Sequence, residues 1–489
     1  MDLSPSDQWL VCHVREGDWP VFWADVSHEA PPPRQALAAL LSRPYPFLLE
    51  SASGIHKIAR YSLVGSDPYQ VFWSRNKTCH LSNVQGKRSF RADDPIDVLR
   101  RLLRERPTPV EAAWEGFACG AVGFFGYDMK NQIEQLPDSV EDDLDMPEMF
   151  WIFVDEVLIF DRKTETTRLL VQVPFRGDLR LCRKIARDKA RSFLSRLSEE
   201  RSMEREEPFQ FGEIGSNHTK ESHGEMVERC REYIAAGDIF QANLSQRLMT
   251  SFQGEPFRLY EALTQINPSP FAFFFGFPSF QLVSCSPERL VCLHGDLVQT
   301  RPIAGTRPRG RDLKEDEALS KELILNPKER AEHIMIVDMA RNDIGRVCRY
   351  GTVIPDELMV IEPYSHVFHI VTNVKGRLRE DADALDLFKA VFPGASITGV
   401  PKVRCMEIID ELEDVRRGPY TGSAGWLSFT GDMDLNIIIR TLLIRKGSAS
   451  VHVGGGIVWD SDPGKEYEET LHKGRALLEA LETVQREER

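Results

Sequence analysis

Through the first 195 positions the apolar residues fall in short runs bounded by turn formers. PFLLESA (46–52), ACGAVGFFGYD (118–128) and MFWIFVDEVLIFD (149–161) are of this kind. Their length and their aromatic and branched content predict strands. The series closes on a basic amphipathic helix over Leu179–Leu197. From about residue 222 the pattern changes: HGEMVERCREYIAAGD has helical spacing, IFQANLSQRLM follows, then two Pro-bearing strands and further helix and strand blocks. Adjacent strands with helices set between them predict an α+β fold rather than a regular βαβ series. Ser198–Glu221 is rich in charge and poor in branched apolar residues. The expected division is therefore 1–197, a linker or crossing loop at 198–221, and 222–489.

Length and charge narrow the picture. A chain of 489 residues exceeds what one core needs, so two domains or one intertwined unit is expected. The formal charge is −14, and no stretch concentrates Lys and Arg among aromatics, which argues against nucleic acid as a partner. An anionic substrate would then need local donors or a metal, because the overall field repels it. The nine cysteines are scattered without C-x-x-C spacing, as expected of a cytoplasmic protein in a reducing compartment. The N-terminal residues lack the basic start and apolar core of a signal peptide. Ala262–Ser286 is uncharged, but Pro268, Pro270 and Pro278 and its alternation predict short strands, not a membrane span.

The sharpest chemical feature is E-x-x-E on two predicted helices. In NPKERAEHIMIVDMARND, Asn326 suits an N-cap and Pro327 the first helical position. Glu329 and Glu332 then share a face. In DPGKEYEETLHKGRALLEAL, Asp462 caps and Tyr467, Leu471, Gly474, Leu478 and Leu481 form the expected buried stripe. Glu466, Glu469 and Lys473 line a neighbouring face. Four carboxylates without cysteine suit a hard cation with oxygen ligands, above all Mg²⁺. The bland alternative is solvated glutamates near helix N-termini, where the dipole favours them anyway.

A second feature is SVHVGGGIVWD. Three glycines inside a strand imply close approach of a ligand or of another part of the chain. Amides without a Cβ beside them make an anion nest, and a bulge or tight packing explains the same residues equally well. FPGASITGVPKVR, with Lys402 and Arg404, could face the same anion. Further candidates are Glu288 in SCSPERL, His369 in HVFHIVTNV, Tyr420 in RRGPYTG, and Arg440, expected at the end of an apolar strand. A buried Arg needs an anion, from a substrate or from the protein itself.

These blocks, in this order, resemble the chorismate-utilising family, which includes anthranilate, aminodeoxychorismate and isochorismate synthases. The resemblance is carried by QANLSQR, SPERL, RPIAGTRPRG, ERAEHIMIVDMARNDIGRV, FPGASITGVPKVRCMEIIDELE, RRGPYTGSAGWLSFTGDMDLNIIIRT and GGGIVWDSDPGKEYEET, over about 235–475. PFLLESA, RYSLVGSDP and GAVGFFGYD extend it to the N-terminal half, which looks like the corresponding domain of anthranilate synthase component I. It implies two antiparallel β-sheets facing each other and flanked by helices. It further implies that Glu332 and Glu469 bind Mg²⁺ directly and Glu329 and Glu466 through its waters. Tyr420, Arg440, Gly454, Gly455, Gly456 and Lys473 would hold the carboxylates of chorismate, and Glu288 would be the general acid for the departing C4 hydroxyl. His369 would lie near the enolpyruvyl ether.

Position 241 selects the nucleophile. Relatives that add water resemble one another in having lysine there. Gln241 can hold ammonia but cannot take a proton from water, which favours amination. QANLSQR, SPERL, MIVD, FPGASITG and GDMDLNI resemble the aminodeoxychorismate branch, which leads to 4-aminobenzoate and folate. Against that, Ala304 replaces a lysine common in this branch, which makes direct attack at C2, the route to anthranilate and pyruvate, a live alternative; a silent regulatory homologue is a third. Leu49, Glu50 and Ser51 resemble the tryptophan pocket of anthranilate synthase. No glutaminase motif accompanies Cys119, so ammonia is expected from a separate glutamine amidotransferase subunit.

Overall fold

The computed structural model describes residues 2–53, 58–111, 116–137, 139–199, 208–363 and 367–488. Within them the chain builds two large antiparallel sheets, of 13 and 12 strands, with helices on their outer faces. The first sheet runs from strand Val21–Asp25 through Phe47–Glu50, Phe271–Phe277, Phe280–Ser286 and Ser448–Ile457 to Gln241–Gln253. The second runs from Ile303–Pro308 through Val367–Arg377, Arg289–His294 and Ser423–Ser428 to Gly120–Phe125 and Gly86–Arg91. Each sheet therefore takes strands from both sides of residues 198–221. Of that stretch, 200–207 lie outside the described residues. The remainder places Gln210–Phe211 and Gly215–Ser216 against strand Gln241–Gln253.

Alternation along the strands separates the layers. Phe273 and Phe275 point between the sheets, where they meet Val122, Phe124, Phe150 and Ile152 of the facing sheet. Phe274, one residue along, points outward into a core shared with helices Pro33–Leu40, Pro256–Ile266 and the C-terminal helix Pro463–Glu488. Phe125 likewise turns outward, stacking on Phe388 of helix Ala384–Val391 with ring centroids 3.8 Å apart. The basic helix of the first half is Leu179–Ser198, and Ala262–Ser286 resolves into the end of a helix and two strands. Among the described residues no helix is long and apolar enough to cross a membrane.

The buried stripe of the C-terminal helix is rotated from the expected one. Thr470, Gly474, Leu477, Ala480, Leu481 and Val484 are buried, whereas Tyr467, Leu471 and Leu478 are only half-covered. The reason is tertiary: this helix lies on strand Ser448–Ile457, and Gly474 lets Val453 and Leu248 come close.

Candidate functional site

The site forms where the chain changes sheets. Strand Phe280–Ser286 belongs to the first sheet and Arg289–His294 to the second, so Pro287 and Glu288 make the crossing. The chain returns between Met433–Asn436 and Thr441–Arg445, through Ile437–Arg440. The two crossings are stitched together: the Ile437 amide donates to the Glu288 carbonyl at 3.0 Å and the Cys285 amide to the Arg440 carbonyl at 3.1 Å. Arg440 thus stands in a bend with φ of 51°, not at the end of a strand as the apolar run suggested. Among the described residues its guanidinium has no ion-pair or hydrogen-bond partner. A half-buried arginine in that condition is suited to a ligand anion.

Glu288 is buried. Its carboxylate oxygen accepts from the Ser396 hydroxyl at 2.9 Å and is also reached by the Ile303 amide. Burial outweighs these bonds and the nearby Arg440 charge, raising its pKa to about 7. A carboxyl so placed can carry a proton at neutral pH. Ala304 follows the residue whose amide touches Glu288 and precedes Gly305, whose carbonyl lies 3.1 Å from His369 Nδ1. Since a carbonyl only accepts, Nδ1 carries the proton of this ring. Burial lowers the His369 pKa to about 4, so the ring is neutral. Position 304 therefore lies between acid and imidazole, and it carries only a methyl group.

The glycine stretch serves both faces of its strand. Cβ atoms at Gly454 and Gly456 would meet Tyr420 Oη at 2.6 Å and Gln241 Nε2 at 2.3 Å. A Cβ at Gly455, on the opposite face, would come 3.3 Å from Glu466 Oε2 and 3.8 Å from Glu469 Oε1. The absent side chains make room for site residues. Strand Thr441–Arg445 pairs only as far as Ser450, whereas Gln241–Gln253 follows the whole stretch. Among the described residues one edge of the glycines thus lacks a strand partner, and there the Gly454 carbonyl accepts from Lys473 Nζ at 2.9 Å. Gln241 Oε1 is buried without a hydrogen-bond partner, and so is Asn243 Oδ1. Tyr420 is buried and stacks on His452 at 5.1 Å.

Helix Pro327–Gly345 starts as expected, Asn326 accepting from the amides of Lys328 and Glu329 at 3.0 and 3.2 Å. It meets the start of the C-terminal helix, where Lys328 bridges to Asp460 at 3.0 Å. Burial raises the pKa of Glu332 and of Glu466, and the charge of Glu469 pushes both the same way. Glu469 leans on Lys473 at 2.8 Å, Glu329 on Arg307 at 2.9 Å, and Glu466 on Ser461 at 2.6 Å. Among the described residues no three acidic, His or Cys side chains are drawn together as a closed metal-ligand set. The donors nonetheless fit Mg²⁺: all are oxygen, two helices contribute, and a divalent cation would relieve the mutual repulsion.

Sequence reasoning missed Ser396, Asn243, Arg307 and the Lys328–Asp460 bridge, because each acquires its role from a partner distant in sequence. Lys402 and Arg404 do not reach the site as free cations. Lys402 bonds Asp343 at 2.7 Å, and Arg404 pairs with Asp238 and Glu407, both at 2.8 Å. Leu49, Glu50 and Ser51 line a separate cavity of about 300 Å³ between the sheets, with Tyr61, Phe271 and Trp426. On the outer face of strand Phe47–Glu50, Glu50 accepts from Arg34 Nε at 3.1 Å and from Tyr260 Oη at 2.6 Å.

Comparison with known proteins places the chain in a family. The family described as chorismate binding enzyme covers residues 45–479. Anthranilate synthase component 1 of Acetivibrio thermocellus is 42% identical over 89% of this chain and 90% of its own. Aminodeoxychorismate synthase component 1 of Bacillus subtilis is 41% identical over 91% and 93%. The crystal structure of anthranilate synthase component I from Streptococcus pneumoniae superposes with a TM-score of 0.76 at 33% identity, covering 87% of this chain and 93% of that one. Two facing antiparallel sheets and near-full-length similarity agree: this chain belongs to the chorismate binding enzymes and is a chorismate-utilising synthase of the anthranilate and aminodeoxychorismate type.

Proposed function

We propose that the chain is the chorismate-aminating component of an aminodeoxychorismate synthase, using ammonia from a glutamine amidotransferase partner. The observation carrying amination is the buried, unpartnered Gln241 carboxamide oxygen, on a side chain whose Nε2 lies against Gly456. It can accept from ammonia and cannot deprotonate water. The partner follows from the relatives, which are named as component 1. The branch is supported by where its characteristic blocks meet. QANLSQR supplies Gln241 and Asn243, SPERL supplies Glu288, and FPGASITG supplies the Ser396 hydroxyl bonded to Glu288.

Arg440, Tyr420, Lys473 and the free edge of Gly454–Gly456 bind the substrate carboxylates. Glu332 and Glu469 would hold Mg²⁺ directly, with Glu329 and Glu466 behind its waters. When bound, the ion supplies positive charge against the ring carboxylate that an acidic protein otherwise repels. Glu288 gives its proton to the C4 hydroxyl, which leaves as water. His369, neutral and held by Gly305, lies near the enolpyruvyl ether. The second reading, anthranilate formation, is favoured by Ala304, which offers no nucleophile at C2. Incubation with chorismate, Mg²⁺ and ammonium salt, followed by chromatography, decides between them. A product converted to 4-aminobenzoate only by an added lyase supports the first reading; anthranilate with pyruvate overturns it.

A further inference from the structure

Glu288 borders a second hollow. A cavity of about 30 Å³ is lined by its carboxyl together with Ser396, Thr300, Asp343, Ile336 and Ala340, and by none of His369, Gln241, Tyr420 or Arg440. One water needs at least about 10–15 Å³ and two to four polar partners, so this space holds about two waters. The partners are present: the Glu288 carboxyl, the Ser396 hydroxyl and the Asp343 carboxyl. Thr300 is already spent on the Leu290 carbonyl at 2.8 Å. Asp343 accepts from Lys402 Nζ at 2.7 Å, and Lys402 also donates to the Val391 carbonyl at 3.0 Å. Both side chains keep a small exposed fraction, 13% and 12%, so this end of the cavity reaches solvent.

Resting on the reading of Glu288 as the general acid, the chemistry leaves one proton to be replaced. In each turnover a C–O bond breaks and a C–N bond forms. The proton of Glu288 leaves with the hydroxyl oxygen as water, and the added nitrogen sheds a proton to solvent. Glu288 ends as a buried carboxylate that must regain a proton. Gln241 has none to give, and His369 keeps its own on Gly305. The charges around the path are Arg440 and Arg289 beside Glu288, Arg289 being paired with Asp434, and Lys402 and Arg346 beside Asp343. Burial raises the Asp343 pKa against these cations, so it can hold a proton in transit.

We propose that this cavity is the proton-return path of the enzyme: Asp343, held by Lys402, takes a proton from solvent and passes it through cavity water to Glu288. Asp343 and Lys402 are then positioning residues that act only between turnovers. Two variants test this, Asp343→Asn, which keeps the shape, and Ala340→Leu, which fills the space. Chorismate consumption is followed at saturating ammonium near pH 6, in the first turnover and in steady state. The expected result is a first turnover at the wild-type rate, one equivalent of chorismate consumed rapidly, and then a steady state slowed by about tenfold or more. If first-turnover and steady-state rates fall together, or neither falls in either variant, the path is overturned. Full activity in Glu288→Gln would instead overturn the acid assignment on which the path rests. Should Asp343→Asn fail to fold, the Ala340→Leu burst decides.

Discussion

Two regions of the molecule have charged walls and treat their charges in opposite ways. Around Leu49–Ser51, Arg289 and Asp434 pair at 2.8 Å in the cavity wall and Glu50 is matched by Arg34 and Tyr260 on the outer face of its strand, so charge is cancelled inside the protein. At the sheet crossing, Arg440 and Gln241 Oε1 lack protein partners among the described residues, Glu288 is kept partly protonated, and two helices bring carboxylates together. A fold stabilises itself by matching polar groups, so a cluster left unmatched and still buried marks where a ligand completes the set. The first region is matched within the protein, and the second leaves groups open to a ligand.

The strongest way to break this contrast is to remove carboxylates where the two helices meet. Glu332→Gln or Glu469→Gln should abolish chorismate turnover while leaving the circular dichroism spectrum unchanged. EDTA should do the same to the wild type, with recovery on adding Mg²⁺. Retained activity in either variant would remove the metal assignment. Next in size is Glu288→Gln, expected to lower kcat by roughly 10²–10⁴-fold, the range of a lost general acid.

Glu288 sharpens the comparison further because it should act on activity and stability in opposite senses. Its folded pKa of about 7 lies above the ordinary 4.5. Its contribution to stability is therefore fully present below pH 4.5 and lost as pH rises through 7. Glu288→Gln should consequently unfold at a higher temperature than wild type at pH 8, despite being inactive, with little difference at pH 5. In the wild type, kcat/KM should fall on the alkaline side with an apparent pKa near 7 as the acid form disappears. A profile flat from pH 6 to 9 would contradict the acid role.

Ala304→Lys tests the space between acid and imidazole. If anthranilate is the wild-type product, the new amine should compete for C2 and cut anthranilate yield severalfold; an unchanged yield would mean that position 304 does not face the ring. The smallest effect is expected on the matched side. Glu50→Gln should cost about 1–3 kcal/mol of stability, seen as a lower urea midpoint, because Arg34 and Tyr260 lose a charged partner. Amination by ammonium salt should remain within about twofold of wild type, and a large loss would link the two sites energetically.

Local signals carried much of this. The N-caps at Asn326 and Asp462, the prolines following them and the three-residue glutamate spacing are properties of a single turn of helix, legible without tertiary context. Strand runs such as 149–161 were equally plain, since aromatic and branched residues in that density favour little else. Arg440 was legible as a candidate anion binder by type but not by setting, because a bend and a strand end have the same local composition. The phase of the C-terminal stripe failed for a related reason. Half-covered Tyr467 and Leu478 look as apolar as buried Leu477, and only the strand beneath the helix decides which are covered.

The sequence by itself determined the elements, the family and the chemical types of the site residues, because spacing, capping and side-chain chemistry are local. What only the tertiary structure decided is which groups remain unmatched. Glu288 and Arg440, 152 positions apart, become neighbours because two strand pairs switch sheets side by side. Lys402 is withdrawn to Asp343 and Glu50 to Arg34 by contacts no local pattern announces. Charge matching is a property of space, and burial and partners set the protonation of Glu288.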